Sequence, residues 1–110
     1  MKVLITGASG MVGHYLVQKC MYRGYNVRAT DLRYNEIFDK YFEDTFEFVK
    51  TDLRNFEKCK EVVKDIDVVF HVAGVKGSPK RAMEQPNDYF TPILQFNTNM
   101  MEAARLEEVE

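Results

Sequence analysis

A parallel α/β sheet covered by helices on both faces follows from three features of this sequence. Apolar runs of strand length alternate with stretches of helical periodicity, those runs lack polar alternation at their centres, and glycines punctuate the joints. Strands separated by helices need crossovers, and crossovers make neighbouring strands parallel, giving a doubly wound sheet. The order is strand, helix, strand, short connection, strand, helix, strand, helix. A length of 110 residues allows one domain, spanning 1–110.

Lys2 to Thr6, with Val3-Leu4-Ile5 at its centre, is predicted to be a strand buried on both faces. A glycine loop follows, and then a helix from Met11 to Arg23 whose apolar residues at 12, 15, 16 and 20 predict its inward face. Gly24 stands where a helix C-cap falls. Asn26 to Thr30 is the second strand, ending at Asp31, and Phe46 to Lys50 the third. Between them Tyr34, Phe38, Tyr41 and Phe42 read as a short helix packing its rings on the sheet rather than as a base-stacking surface. Phe56 to Lys64 is a helix with Val62 and Val63 inward, and Ile66 to Val72 is the fourth strand. A loop from Gly74 to Asp88 holds Gly77, Pro79 and Pro86, and the last helix starts near Phe90 or Pro92 and ends at Arg105. Such an ending leaves the fourth strand as an exposed apolar edge. The sheet is therefore expected to be truncated after that strand and its following helix, the chain being the N-terminal portion of a longer protein.

Composition excludes several classes. The chain has 15 basic and 17 acidic residues, a net charge of −2, without the basic excess of a nucleic-acid binder. Its apolar runs, such as Val68-Val69-Phe70, fall far short of the roughly 20 residues that cross a bilayer. Met1 to Gly7 holds no secretory apolar core, so a cytoplasmic protein is expected. Cys20 and Cys59 read as reduced, buried thiols. The two His and two Cys lack zinc-like spacing, and no metal site is expected.

The sharpest motif is Thr6-Gly7-Ala8-Ser9-Gly10-Met11-Val12-Gly13, which follows a strand and opens a helix. Gly7 permits the turn out of the strand, Gly10 lets backbone approach a pyrophosphate, and Gly13 lets the helix lie close to the sheet. The free amides of the helix start then face the phosphates, the helix dipole adding about 0.3–1 kcal/mol. Asp31 lies 18 residues after Gly13, where a carboxylate accepts from an adenosine ribose. It also repels a 2′-phosphate, by about 4 kcal/mol at 4 Å and an effective dielectric of about 20 before solvent relaxes. That favours NAD over NADP, while Arg33, two residues on, offers a guanidinium to such a phosphate. The fold is thus of Rossmann type.

The glycine spacing is Gly-x-x-Gly-x-x-Gly, joined by Asp52-Leu53 after the third strand, His71-Val72-Ala73-Gly74 after the fourth, and Asn97 in the last helix. Together, across essentially all 110 residues, these resemble the extended short-chain dehydrogenase/reductase family, in particular the NAD-dependent epimerases and dehydratases of nucleotide sugars. The resemblance implies that Gly7, Gly10 and Gly13 form the pyrophosphate loop, with Met11 and Val12 supplying backbone. It assigns Asp31 to the ribose, Asp52 and Leu53 to adenine, Ala73 and Gly74 to the strand end beside the cofactor, and Asn97 to support of the active-site region. Lys76, in Val75-Lys76-Gly77-Ser78, resembles the lysine that reaches the nicotinamide ribose in sugar 4-epimerases, as does the spacing to Pro86, Tyr89 and Asn97. GDP-fucose synthases show a related loop, so the sugar stays open. A nucleotide-sugar substrate, an NAD cofactor and a homodimer are implied for the full-length protein. Two alternatives stand beside this: an NADP-dependent short-chain reductase of a small carbonyl compound, and a dinucleotide-sensing module without chemistry.

The family's chemistry needs a Tyr-x-x-x-Lys pair, whose ammonium moves the phenol pKa down from about 10 toward working pH. Tyr15 and Lys19 have that spacing but lie on the first helix, away from the nicotinamide end of a bound cofactor. The resemblance puts the working pair beyond Glu110. No catalytic residue is identified within the chain, which alone is expected to bind NAD weakly or not at all and not to turn over. His71 reads as a strand-end residue satisfied by its neighbours, and His14 has no partner in the sequence that would make it a base or a ligand.

Overall fold

The computed structural model of the chain describes residues 1–41, 44–74 and 79–110, with the backbone alone at 79, 81, 82 and 89. Phe42 of the aromatic group and Val75-Lys76-Gly77-Ser78 lie outside the described residues. Strands β1 (Lys2–Thr6), β2 (Asn26–Asp31), β3 (Phe46–Lys50) and β4 (Val68–His71) form one sheet in the order β3-β2-β1-β4, and every pair is parallel. Helices are α1 (Met11–Tyr22), α2 (Phe56–Val62), α3 (Pro79–Glu84) and α4 (Asn87–Leu106), and a 3-10 helix spans Glu36–Lys40. The chain builds outward from β1 to β3, then returns to lay β4 on the other side of β1. Among the described residues no helix is long and apolar enough to cross a membrane.

The register makes two cores. Val3, Val27, Phe46 and Val68 lie in one row across the sheet, and on that face Val3, Ile5, Val27, Ala29 and Phe46 pack under α1 and the 3-10 helix. Leu4 points the other way, into a second core with Cys59, Val62, Val63, Phe96, Met100 and Ala103 from α2 and α4. Each fully buried Val or Leu contributes about 1.5–3 kcal/mol, so β1, with Val3, Leu4 and Ile5 all at 0% exposure, is the energetic centre. Cys20 and Cys59 are both free and buried, in opposite cores with the sheet between them. Burial pushes the Cys59 thiol up to about 11 and raises Cys20 as well, so neither is a ready nucleophile. Arg28 of β2 ties the second layer down: it donates to the Val62 and Lys64 carbonyls at the end of α2, at 2.7 and 2.8 Å, and its Nε donates to Glu47 of β3.

Several elements differ from expectation. The inward face of α1 is Gly13, Val17 and Cys20, while Val12 and Tyr15 are 67% and 60% exposed. Placing a glycine at the contact brings the helix so close that the neighbouring large residues turn outward. The 74–88 stretch contains the helix α3, and α4 begins at Asn87 and continues through Pro92. A proline inside a helix forgoes one amide bond and ordinarily reads as a boundary. Here Phe96, Met100 and Ala103 bury the following turns and carry the helix on. The fourth strand starts at Val68 rather than Ile66, and Phe70 on it is 37% exposed. One point of its free edge is engaged by Glu110, whose amide donates to the Asp67 carbonyl and whose carbonyl accepts from the Val69 amide.

Gly13 sits where α1 meets the loop after β1, and an ideal Cβ built there stands 2.1 Å from the Gly7 carbonyl oxygen. Alanine gains up to about 1 kcal/mol in helix propensity, but overpacking of this kind costs about 1–3 kcal/mol or more. With backbone as the obstacle, the steric term wins. Gly13→Ala is expected to lower stability by about 2 kcal/mol in urea unfolding; a midpoint equal to or above the parent's would refute the close packing.

Candidate functional site

A cleft of about 1130 Å³ opens over the carboxyl ends of the strands, where the strand order reverses between β1 and β4. Ligands of open α/β sheets bind at such a switch point. Three groups of residues converge on it: the glycine loop with the first turn of α1, the ends of β2 and β3 with the loops that follow, and the end of β4 with α4.

The glycine loop is built by close approach. Gly7 has φ of +62°, and a Cβ there stands 2.7 Å from the Ala73 Cα, so position 7 excludes a side chain on both counts. The loop's own amides are used internally: Ala8 donates to the Thr30 carbonyl, Gly10 to the Gly7 carbonyl, and Ser9 to Asp31 Oδ2 at 3.0 Å. The amides of Met11, Val12 and Gly13 differ. Among the described residues they find no acceptor, Gly10 supplies no side-chain cap, and the first turn of α1 carries no acid. A helix start left open in this way holds partial positive charge toward the cleft.

At the end of β2, Asp31 accepts from the Ser9 amide on one oxygen and from the Leu32 amide on the other. Asp31 and Arg33 both line the cleft. After β3, Asp52 is gripped by Arg54: the guanidinium donates Nε at 3.0 Å and Nη2 at 2.7 Å, and the Arg54 amide donates to Oδ1. These bonds hold the Asp52 carboxyl below its ordinary range, so it stays ionised and accepts only. Asn99 of α4 donates to the Leu53 and Arg54 carbonyls, both at 3.0 Å, and so holds this loop over the second core.

The end of β4 is fixed from β1. The buried Thr6 hydroxyl accepts from the Val72 and Ala73 amides at 3.0 and 3.2 Å. Its proton therefore goes to His71 Nδ1 at 2.7 Å, which makes the ring the Nε2–H tautomer, and Nε2 donates to Asn97 Oδ1 at 2.6 Å. His71 is satisfied on both nitrogens, as expected for a strand-end residue. Gly7, Gly10, Met11, Val12, Gly13, Asp31, Arg33, Asp52, Leu53, Ala73 and Gly74 all line the cleft. Asn97 does not line it and bonds to His71, which does not line it either, and Lys76 lies outside the described residues. Tyr15 stacks on His14 along the exposed side of α1, apart from the cleft.

Sequence reasoning missed Ser9, Tyr34, Asn35, Thr51, Arg54, Pro92 and Phe96, which also line the cleft. Asn35 carried a signal: an Asx residue directly before an acidic turn is an N-cap pattern. The cleft role of Pro92 and Phe96 had none, because it depends on where α4 crosses the sheet.

Burial under α4 lowers the His71 pKa below its ordinary 6.5, and the bond to Asn97 opposes that only in part. A protonated ring must donate at Nδ1, to a hydroxyl that already accepts twice. The unfolded state thus binds more protons below about pH 6.5, and stability is expected to fall as pH drops from 6.5 toward 5. His71→Gln is expected to flatten that slope in urea midpoints measured between pH 8 and pH 5; an unchanged slope would assign it to other groups.

GDP-mannose 3,5-epimerase of Arabidopsis thaliana is 30% identical over 112 residues, covering 100% of this chain and 29% of that protein. UDP-glucose 4-epimerase of Pisum sativum is 28% identical, covering 92% of this chain and 32% of that protein. Among solved structures, MoeE5 in complex with UDP-glucose and NAD superposes with a TM-score of 0.85 at 28% identity, and UDP-glucose 4-epimerase of Thermus thermophilus in complex with NAD with 0.84 at 28%. Each covers 100% of this chain, which makes up 34% and 35% of those two chains, so it spans about a third of the proteins it resembles. The model of the NAD dependent epimerase/dehydratase family matches residues 3–110, and the chain belongs to that family.

Proposed function

We propose that this chain is the NAD-binding part of a nucleotide-sugar epimerase or dehydratase. The observation that carries the proposal is the open start of α1: three amides without acceptors among the described residues, at the mouth of a cleft, beside a carboxylate at the end of β2. Two of them, on Met11 and Val12, would take the pyrophosphate, with Gly7, Gly10 and Gly13 keeping side chains out of its way. Asp31 would accept from the adenosine ribose, and its charge favours NAD over NADP. Asp52, ionised by Arg54, would accept from the adenine amino edge with Leu53 against the ring. Ala73, Gly74, Lys76 and Asn97 would lie toward the nicotinamide end. When bound, NAD supplies a hydride acceptor and donor for a sugar carbon. This chain's own part is to bind and orient it, as a single domain over 1–110. The relatives that act on GDP- and UDP-linked sugars support that substrate class, and the family resemblance implies a homodimer of the whole protein. Buried, separated thiols suit a cytoplasmic setting.

The test is to assay the protein, together with any coding sequence that follows Glu110, against a panel of GDP- and UDP-sugars. Conversion with transient reduced nicotinamide is expected. A protein that carries a downstream Tyr-x-x-x-Lys, binds NAD and converts none of them would overturn the enzyme reading. Two substitutions test the binding site. Gly10→Val is expected to abolish NAD binding by blocking the pyrophosphate. Asp31→Ala is expected to narrow the preference for NAD over NADP by about tenfold, and an unchanged ratio would mean that another residue reads the ribose.

A further inference from the structure

We infer that Asn35 is a positioning residue, locking the ribose-acceptor loop to the pyrophosphate loop so that both halves of an adenosine diphosphate meet a site already in shape. The inference rests on the cofactor reading above. Residues 7–10 and 32–35 border the same cleft, and neither segment has strand pairing of its own. They are joined through Ser9. Its amide donates to Asp31 Oδ2, its hydroxyl donates to the Arg33 carbonyl, and its carbonyl accepts from Asn35 Nδ2 at 3.1 Å.

Asn35 works with both ends of its amide. Oδ1 accepts from the Ile37 amide at 3.0 Å, capping the 3-10 helix Glu36–Lys40. That helix is anchored by Phe38, 1% exposed, among the rings of Tyr41, Phe46 and Phe48. The oxygen end is therefore tied to a core-anchored element, and the nitrogen end sets where the Ser9 carbonyl points. The Ser9–Gly10 peptide leads directly into the amides of Met11 and Val12. Without the Asn35 donor the loop keeps its sequence but loses its bearing, and binding must then order it, which costs affinity for the phosphate-bearing part of the ligand.

The experiment separates capping from positioning. Asn35→Ser keeps an oxygen for the Ile37 amide, since Ser caps about as well as Asn, but its side chain is too short to reach the Ser9 carbonyl. Asn35→Ala removes both links. The protein, together with any coding sequence that follows Glu110, and its variants are titrated by NMR with adenosine, ADP and NAD. For Asn35→Ser, a melting midpoint within about 2 °C of the parent is expected, with adenosine affinity within about twofold and ADP and NAD weakened about 5-fold to 10-fold. The Ser9 and Gly10 amide resonances should also move in the ligand-free variant. Asn35→Ala should repeat the ligand pattern and melt lower. Ser9→Ala, which removes the hydroxyl link and leaves the cap alone, should weaken ADP about twofold to threefold.

ADP affinity unchanged in Asn35→Ser, or adenosine and ADP falling by the same factor, would overturn the positioning role. Weaker ADP binding with unmoved loop resonances would do the same, by making Asn35 a direct ligand contact. A parent protein, extended by the coding sequence that follows Glu110, that binds none of the three ligands overturns the cofactor reading itself, an outcome distinct from a parent that binds and a variant that binds equally well.

Discussion

Three backbones meet at Gly7, and the site depends on how closely they do so. Gly13 brings α1 against the Gly7 carbonyl, and Gly7 in turn abuts the 72–73 segment at the end of β4. No side chain fits between them, so packing cannot hold the junction. The Thr6 hydroxyl does that instead, taking both the Val72 and Ala73 amides. A hydroxyl that accepts twice has one proton to give, and giving it to His71 fixes the ring and, through it, the Asn97 amide on α4. One buried threonine thereby links strand end, edge strand and outer helix, and converts a close approach into a defined geometry.

The cleft presents the open end of a helix, with Arg33 and Arg54 also on its lining. Among the described residues, the start of α1 turns the partial charge of open amides toward the cleft, while the carboxylate of Asp31 is bound into the loop beside it. A helix start acts over about one turn, so it recognises a group placed against it rather than any anion nearby. On the proposed reading, the carboxylate beside it would disfavour a ligand that adds a further phosphate on the ribose and favour one that offers hydroxyls. Arg54 keeps Asp52 ionised on the far side in the same spirit, its charge spent on a neighbour rather than on the ligand. Selection here is a matter of direction more than of net charge.

Much of the fold was legible because β1 and the glycine loop are over-determined. Val3-Leu4-Ile5 can only be a strand covered twice, and glycines at 7, 10 and 13 after a strand admit few other geometries. The inward face of α1 was misread because apolar periodicity assumes that large residues point to the core, whereas contact through Gly13 reverses that locally. The start of α4 was misread because Pro92 signals a boundary, and only the burial of Phe96 and Met100 on the sheet shows that the helix goes on. Thr6 read as the last residue of a strand; its two amide partners lie more than 60 residues away, and no local pattern encodes them. The partners of Ser9 are likewise set by where β2 ends beside β1, a consequence of register rather than of spacing.

The bracing is distributed unevenly along the cleft, and that distribution has a chemical meaning. Ser9 gathers Asp31, Arg33 and Asn35 beside the start of α1, and Asn99 pins the Leu53–Arg54 backbone after β3. All of these bonds are made by groups that need not touch a ligand. They lie in the connections that follow β1, β2 and β3 and on the one helix that crosses them, so this side of the cleft is shaped by the sheet itself. At the β4 end, among the described residues, the Thr6–His71–Asn97 chain fixes the strand end from underneath. An arrangement of this kind lets affinity come from the part of a dinucleotide that does no chemistry. On the proposed reading, the reactive end would then be positioned by groups outside this braced side, so that substrate choice and cofactor grip can be set separately.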